Sequence, residues 1–570
     1  MGNQYHPYHP IIYVRGFAGT QGEIEETVAD PYMGFNVGST KSRRVWDNTV
    51  RRFYFESPLL RLRDEIVYKT VNGAKVRCEE RYDDVYVNGE DLTAPDPRDP
   101  TKPLRSDITV PYQSITIFRY YDDASTDFGT GTSHPIEDFA RNLSNLILRL
   151  RTLSCRVGGV HPITLDALEN GVTEDEFRVY LVAHSMGGLV CRAFLQNPNL
   201  GDLAARRAVD KVFTYATPHN GIDLRIVRNV PGWAALGEAT NFNRPRMREY
   251  LALAKDDGDA AEVVNFPASR IFNLVGTNPA DYLVLKGLSS WAVGDASDGL
   301  VRIENATTYA ARTASPGEVA ASGELRTREE SPRAFAYRSH SGHYGIVNSE
   351  EGFQNLTRFF FGEVRADGFL DVHDVTMPKE VQAEFDAGKA VRASYRFEVV
   401  ATLRGCQWQM HRRTSRENSA IQRMYDELFP IGPDGKRTPS REHSPHLFSV
   451  FLDPMKSVNT KSRSVAFAFD IAALVPDYEI DGVLWLKKHF EGGSLYRDQV
   501  LVEATPSKSA PGGWKLTYGF QSETPNSANR KVDAVEEQDG SLTFAIPIKS
   551  PLNQRPGMAG FLRLSVREWT

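Results

Sequence analysis

Cysteine is scarce in this chain. Four occur in 570 residues (Cys78, Cys155, Cys191 and Cys406), and no two have the C-x-x-C spacing. That leaves no zinc knuckle and no dithiol redox motif, and so few cysteines build no disulfide framework. Free thiols in a reducing compartment are the expected state. Long apolar runs are lacking as well: nothing approaches the roughly 20 residues that span a bilayer, so no transmembrane segment is expected. The opening residues lack the basic start, apolar run and small-residue cleavage site of a secretory signal. His6 stands where an N-myristoylation motif needs Ser or Thr. A cytoplasmic location is expected, with signal-independent export left open. Positive charge is not in excess either. The 67 Lys+Arg face 73 Asp+Glu, a net −6, which gives no electrostatic footprint for nucleic acid.

What is present is an ordinary globular balance, 41% hydrophobic and 25% charged, in a chain too long for one ordinary core. Two domains are expected, at 1–363 and 364–570. The first alternates buried-strand runs with helical patterns. Ile11-Ile12-Tyr13-Val14, Ser114 to Phe118, Arg178 to Val182, Val212 to Tyr215 and Arg270 to Val275 read as strands. Between Pro135 and Arg151, apolar residues recur at helical spacing, and a second helix is expected from Gly187 to Leu195. This alternation predicts an α/β fold: a mostly parallel sheet with helices on both faces. Insertions near 55–105 and 222–267 interrupt it, the first with a hairpin expected around Asn88-Gly89. The second has the position of a lid. A polar stretch at 307–333 reads as a loop. After residue 363, short β-like runs separated by turns predict an all-β, sandwich-like domain.

The chemistry concentrates in the first part. Ala183-His184-Ser185-Met186-Gly187-Gly188 follows a strand and opens a helix. A serine on so sharp a turn needs small residues two before and two after it, and Ala183 and Gly187 satisfy that. The alternative is a helix N-cap serine. Ile11 to Thr20 places a glycine-rich turn at the end of an early strand. There the amide of Phe17, with that of Met186, is suited to hold a developing oxyanion; a phosphate loop is the rival, but the Gly-Lys-Ser/Thr ending is missing. Asp298, with Asp295 in reserve, is the candidate acid. Asp298-Gly299 also reads as an ordinary turn, and the ligand spacing of a calcium loop is absent. His343 is preferred as the base because a helix is expected to begin there, with His340 as the alternative.

The order Ser, Asp, His is that of the α/β-hydrolase superfamily, and the first roughly 360 residues resemble its lipase and esterase branch. The serine segment is similar to that branch's His-Ser-Met-Gly-Gly form. Thr217-Pro218-His219-Asn220-Gly221 is similar to its turn near the pocket, and the Asp298 and His343 segments are similar to its acid loop and histidine turn. Lipases usually carry His-Gly at the oxyanion strand, where this chain has Arg15-Gly16. Arg15 is therefore expected at the pocket, paired with a carboxylate or favouring an anionic substrate. His219 is expected to shape the pocket rather than bind a metal, since no second ligand stands at i+4.

The resemblance implies hydrolysis of carboxylic esters, small or lipid, through a Ser-His-Asp triad and an acyl-enzyme, with no cofactor and no metal. Peripheral lipid contact stays open. The rival readings are an acyltransferase or thioesterase on the same scaffold, a non-catalytic binding protein, and an antibacterial lipase effector whose β-domain targets it.

Overall fold

The computed structural model describes residues 8–16, 21–44, 49–64, 67–71, 74–78, 82, 85–87, 95–96, 99–103, 110–120, 122–126, 134–155, 172–222, 241–254, 259–281, 296–313, 326–342, 344–406, 408–432, 435–453, 464–481, 487–510, 513–523, 530–537 and 539–569. Two compact units emerge from its contacts. The first is Met1–Ala311 with Arg328–Arg333 and Tyr337–Phe361. The second is Gly362–Thr570 with Arg312–Thr327 and Ala334–Ala336.

The first unit is built on parallel strands β1 (Ile11–Val14), β2 (Val85–Val87), β3 (Ile115–Phe118), β4 (Val179–His184), β5 (Val209–Tyr215) and β6 (Ile271–Gly276). They lie side by side in the order β6-β5-β4-β1-β3-β2. Their runs (Ile-Ile-Tyr-Val, Ile-Thr-Ile-Phe, Val-Tyr-Leu-Val-Ala-His) are β-branched and aromatic, and β1, β3 and β4 are buried at every residue. Strands of a parallel sheet have no wet face, so unbroken apolar runs replace alternation. Helix α1 (Ile136–Ser154) and helix α2 (Met186–Gln196) follow β3 and β4. Helix α3 (Glu350–Phe361) closes the unit. Its Phe360 ring stacks on Tyr180 at 4.4 Å, and Phe359 lies 5.3 Å from Phe272, which itself stacks on Phe213. Helix Pro58–Asp64 is tied to α3 by the Arg61–Glu350 ion pair and by Arg61 lying 3.6 Å over the Phe353 ring.

Two expectations change here. The segment 55–105 is not wholly an excursion, because Val85–Val87 joins the sheet edge in parallel, Val85 beside Ile115. Within that segment Val67–Val71 pairs with Ala74–Cys78 and Pro95–Asp96 with Asp99–Pro103, while the hairpin expected around Asn88-Gly89 falls outside the described residues. The stretch 307–333 contains strands Tyr309–Thr313 and Arg326–Glu330; its Thr and Tyr residues suit an extended chain despite their polarity. Within 222–267, helix Arg244–Tyr250 is described and residues 223–240 are not.

The second unit holds two antiparallel sheets. One runs β9 (His446–Leu452), β7 (Val364–Thr376), β14 (Gly557–Glu568), β13 (Leu542–Lys549) and the short Val535–Glu536. The other places β8 (Val391–Leu403), β10 (Val465–Asp481), β11 (Lys487–Pro506) and β12 (Trp514–Phe520) side by side. Along β8 every second residue from Val391 to Leu403 is buried, the period-2 pattern of a strand with one face on a core. Leu370, Ile546 and Leu562 from one sheet meet Tyr395, Val399, Ile471 and Val500 from the other in a single apolar cluster, as in a sandwich.

Candidate active site

The serine turn follows from sterics. β4 ends at His184 and α2 begins at Met186, so Ser185 alone makes the corner, at φ 51° and ψ −125°. A non-glycine residue with φ that positive is strained and persists only when its surroundings hold it. Here the Ser185 amide donates to the Tyr215 carbonyl at 2.9 Å, and its own carbonyl accepts from Gly188 at 3.1 Å. Small neighbours are obligatory. A Cβ on Gly187 would lie 2.4 Å from the carbonyl oxygens of Val14 and Arg15, and one on Gly16 would lie 2.5 Å from the Ser185 Cβ. The need for glycine at position 16 comes from the β1 end packing against the serine, a long-range contact that no local pattern announces.

Ser185 Oγ lies 3.0 Å from His340 Nε2, and His340 Nδ1 lies 2.9 Å from Asp298 Oδ2. All three side chains are buried. A carboxylate only accepts, so Nδ1 carries the proton and the Nε2 lone pair faces the serine hydroxyl. Asp298 is fixed in turn: its Oδ1 accepts the amides of Leu300 at 3.0 Å and Val301 at 2.7 Å. The Asp298-Gly299 turn thus fixes the Asp298 carboxylate, with Gly299 at φ 103°.

The histidine that meets Ser185 is His340, the alternative candidate; the preferred candidate, His343, lies outside the described residues. The preference rested on a helix beginning near 343. That helix, α3, begins at Glu350. Ser349 caps it by accepting the Gly352 amide at 3.0 Å, and Glu350 and Glu351 fill its first turn, where the dipole favours acids. Ser349-Glu350-Glu351 was the legible signal of the true start. Two residues before His340, Arg338 is buried and pairs with Glu351 at 2.9 Å. It also donates to the Thr40 carbonyl at 3.1 Å. Although burial alone would raise the Glu351 carboxyl, Arg338 and Lys41 hold it below its usual range.

The remaining expected residues divide. Phe17 and Asp295 lie outside the described residues. Met186 is the first residue of α2, so its N–H belongs to the turn that a helix leaves without internal partners. Arg15 donates to the Met33 carbonyl, and its own carbonyl accepts from the Tyr120 hydroxyl at 2.5 Å. His219 is fully buried. Its Nε2 lies 3.2 Å from Thr214 Oγ1, whose own proton has the Phe272 carbonyl at 3.0 Å. Burial, then the nearby Arg192, drives its pKa well below the ordinary histidine value. Arg192 reaches the carbonyls of His219, Ala260 and Glu262.

Asp477, Glu479 and His489 have donor atoms within 4.8 Å of one another. They sit on the β10–β11 hairpin, where Arg392 is in register with Glu479. Among the described residues no helix is long and apolar enough to cross a membrane.

Residues 123–230 match the model of the family described as the PGAP1-like alpha/beta domain. Together with the parallel sheet and the strand–Ser185–helix corner, this makes the first unit an α/β-hydrolase-type fold. No curated protein matches the chain. Among solved structures, Bacillus licheniformis lipase BlEst2 in its mature form is similar at 14% identity over 54% of this chain and 81% of that one, with a TM-score of 0.22. The same lipase in its propeptide form is similar at 10% identity over 86% and 97%, with a TM-score of 0.26. Likenesses that remote say nothing about activity.

Proposed function

We propose that this protein is a serine hydrolase that cleaves carboxylic esters, of small molecules or lipids, through an acyl-enzyme on Ser185. One observation carries the reading: the hydrogen-bonded line Asp298–His340–Ser185, at 2.9 and 3.0 Å. A serine hydroxyl is a weak nucleophile and needs a base within hydrogen-bond reach. His340 Nε2 takes its proton as Oγ attacks the ester carbonyl, and the Asp298 carboxylate stabilises the imidazolium that forms. The developing oxyanion falls to the amides of Met186 and Phe17, the second assigned from sequence. Collapse expels the alcohol, which leaves with the proton from His340. Water then attacks the acyl-enzyme, His340 again takes and returns the proton, and the carboxylic acid departs. No step uses a metal or cofactor.

A fluorophosphonate probe tests this directly, since only an activated serine reacts with it. The probe is expected on the peptide containing Ser185, located by mass spectrometry, and absent from Ser185→Ala. Absence of label from the folded wild type would make the chain a scaffold without catalysis.

A further inference from the structure

The residue before the nucleophile has a placement that the triad does not explain. His184 is buried, and its Nε2 lies 3.0 Å from the backbone carbonyl oxygen of His340. A carbonyl only accepts, so His184 Nε2 carries a proton and donates it. The other backbone group of His340 is also held, its amide donating to the Asp298 carbonyl at 3.0 Å. His340 is therefore held through both of its backbone groups, on either side of its Cα, once from the Asp298 segment and once from the Ser185 turn. His184 further packs on the β1 end, where a Cβ on Gly16 would lie 3.1 Å from its Nδ1. The two imidazole rings stand 5.0 Å apart, tilted by 45°.

We infer that His184 is a positioning residue for the proposed reaction: as a neutral Nε2–H donor it fixes the His340 backbone, and with it the aim of His340 Nε2 at Ser185 Oγ. The inference rests on the serine-hydrolase reading above. Burial first, then the neighbouring His340 and Arg15, keeps the His184 pKa well below the ordinary histidine value. His184 thus stays neutral while His340 gains and loses its proton, and adds no second positive charge beside it. Without the tether the His340 carbonyl loses a buried partner and the ring is free to turn from the serine, a misplacement to which general-base catalysis is sensitive.

The test compares His184→Gln, whose amide nitrogen reaches about where Nε2 does, with His184→Phe, which keeps the bulk and lacks the donor. Steady-state ester hydrolysis over pH 5–9 is read beside the rate of fluorophosphonate labelling and thermal unfolding. His184→Phe is expected to lower kcat about tenfold or more, the size of one lost buried hydrogen bond. KM should stay nearly unchanged, labelling should slow in proportion, and the pH midpoint of kcat/KM should move. His184→Gln should recover most of kcat and the wild-type midpoint. Equal losses in both variants would make His184 a packing residue, and no loss in His184→Phe would remove it from the mechanism; either result overturns the inference while wild-type labelling leaves the hydrolase reading standing. If the wild type neither hydrolyses esters nor labels, both fall together.

Discussion

At the scale of single residues, two histidines three positions apart receive opposite assignments. His340 has Ser185 and Asp298 on its two ring nitrogens. His340→Ala should therefore reduce ester turnover about a thousandfold or more, while His343→Ala retains most of it. Steady-state kinetics on both variants checks this, and the reverse ranking would return the base to His343. Ser185 was legible in sequence because strand-to-helix corners impose small residues at fixed offsets, and Ala183 and Gly187 supply them. The choice between the two candidate histidines was not, because what singles out His340 is a partner 42 positions away, and no spacing rule encodes that contact. Lys211 was equally illegible. It is fully buried in β5 and donates to the Phe360 carbonyl at 3.2 Å. Burial first, with Arg270 adding to it, lowers its pKa to about 7 against a partial opposing pull from Asp210. An unfolded lysine holds its proton up to about pH 10.4. Between those limits the unfolded chain binds more protons, so this residue makes the fold less stable as pH falls from about 10 toward 7. Lys211→Met should raise the Tm at pH 7 by more than it does at pH 10; an equal shift at both would mean the lysine does not titrate there.

At the scale of elements, the corner between β4 and α2 depends on close approach of the β1 end. Gly187 has backbone oxygens of Val14 and Arg15 in the place a Cβ would occupy. Backbone cannot swing aside as a side chain can, so Gly187→Ala should cost about 1–3 kcal/mol of stability and much of the activity together. Urea unfolding with an unchanged midpoint would contradict that placement. The strands of the first unit were readable because a doubly covered sheet writes itself as β-branched runs. Val85–Val87 was missed for a physical reason: at three residues beside an Asn-Gly turn signal, it reads as half of a hairpin rather than as the sheet edge. The start of α3 carries a local signal in Ser349-Glu350-Glu351, a cap followed by acids, which the helix expected from residue 343 overlooks.

At the scale of the whole molecule, the change from alternating strand and helix patterns to strands alone was visible near residue 363, and two compact units are observed. The alternation along β8 is legible because one face meets the apolar cluster. The strand β11 is 20 residues long, Lys487–Pro506, with Gly492 and Gly493 inside it. Glycines and interspersed charges hide such a strand from pattern reading. The assignment of short segments near 312–336 to the second unit had no signal in the sequence, since membership is decided by contacts rather than by composition. Attack of Ser185 on an ester carbonyl, with His340 as its base, is tested most directly by one experiment. Hydrolysis of p-nitrophenyl esters from acetate to palmitate is followed for wild type and Ser185→Ala, both confirmed as folded. The wild type is expected to turn over, with a chain-length preference that separates esterase from lipase, and the variant to lose several orders of magnitude. Equal turnover by the two proteins would show that Ser185 is not the nucleophile.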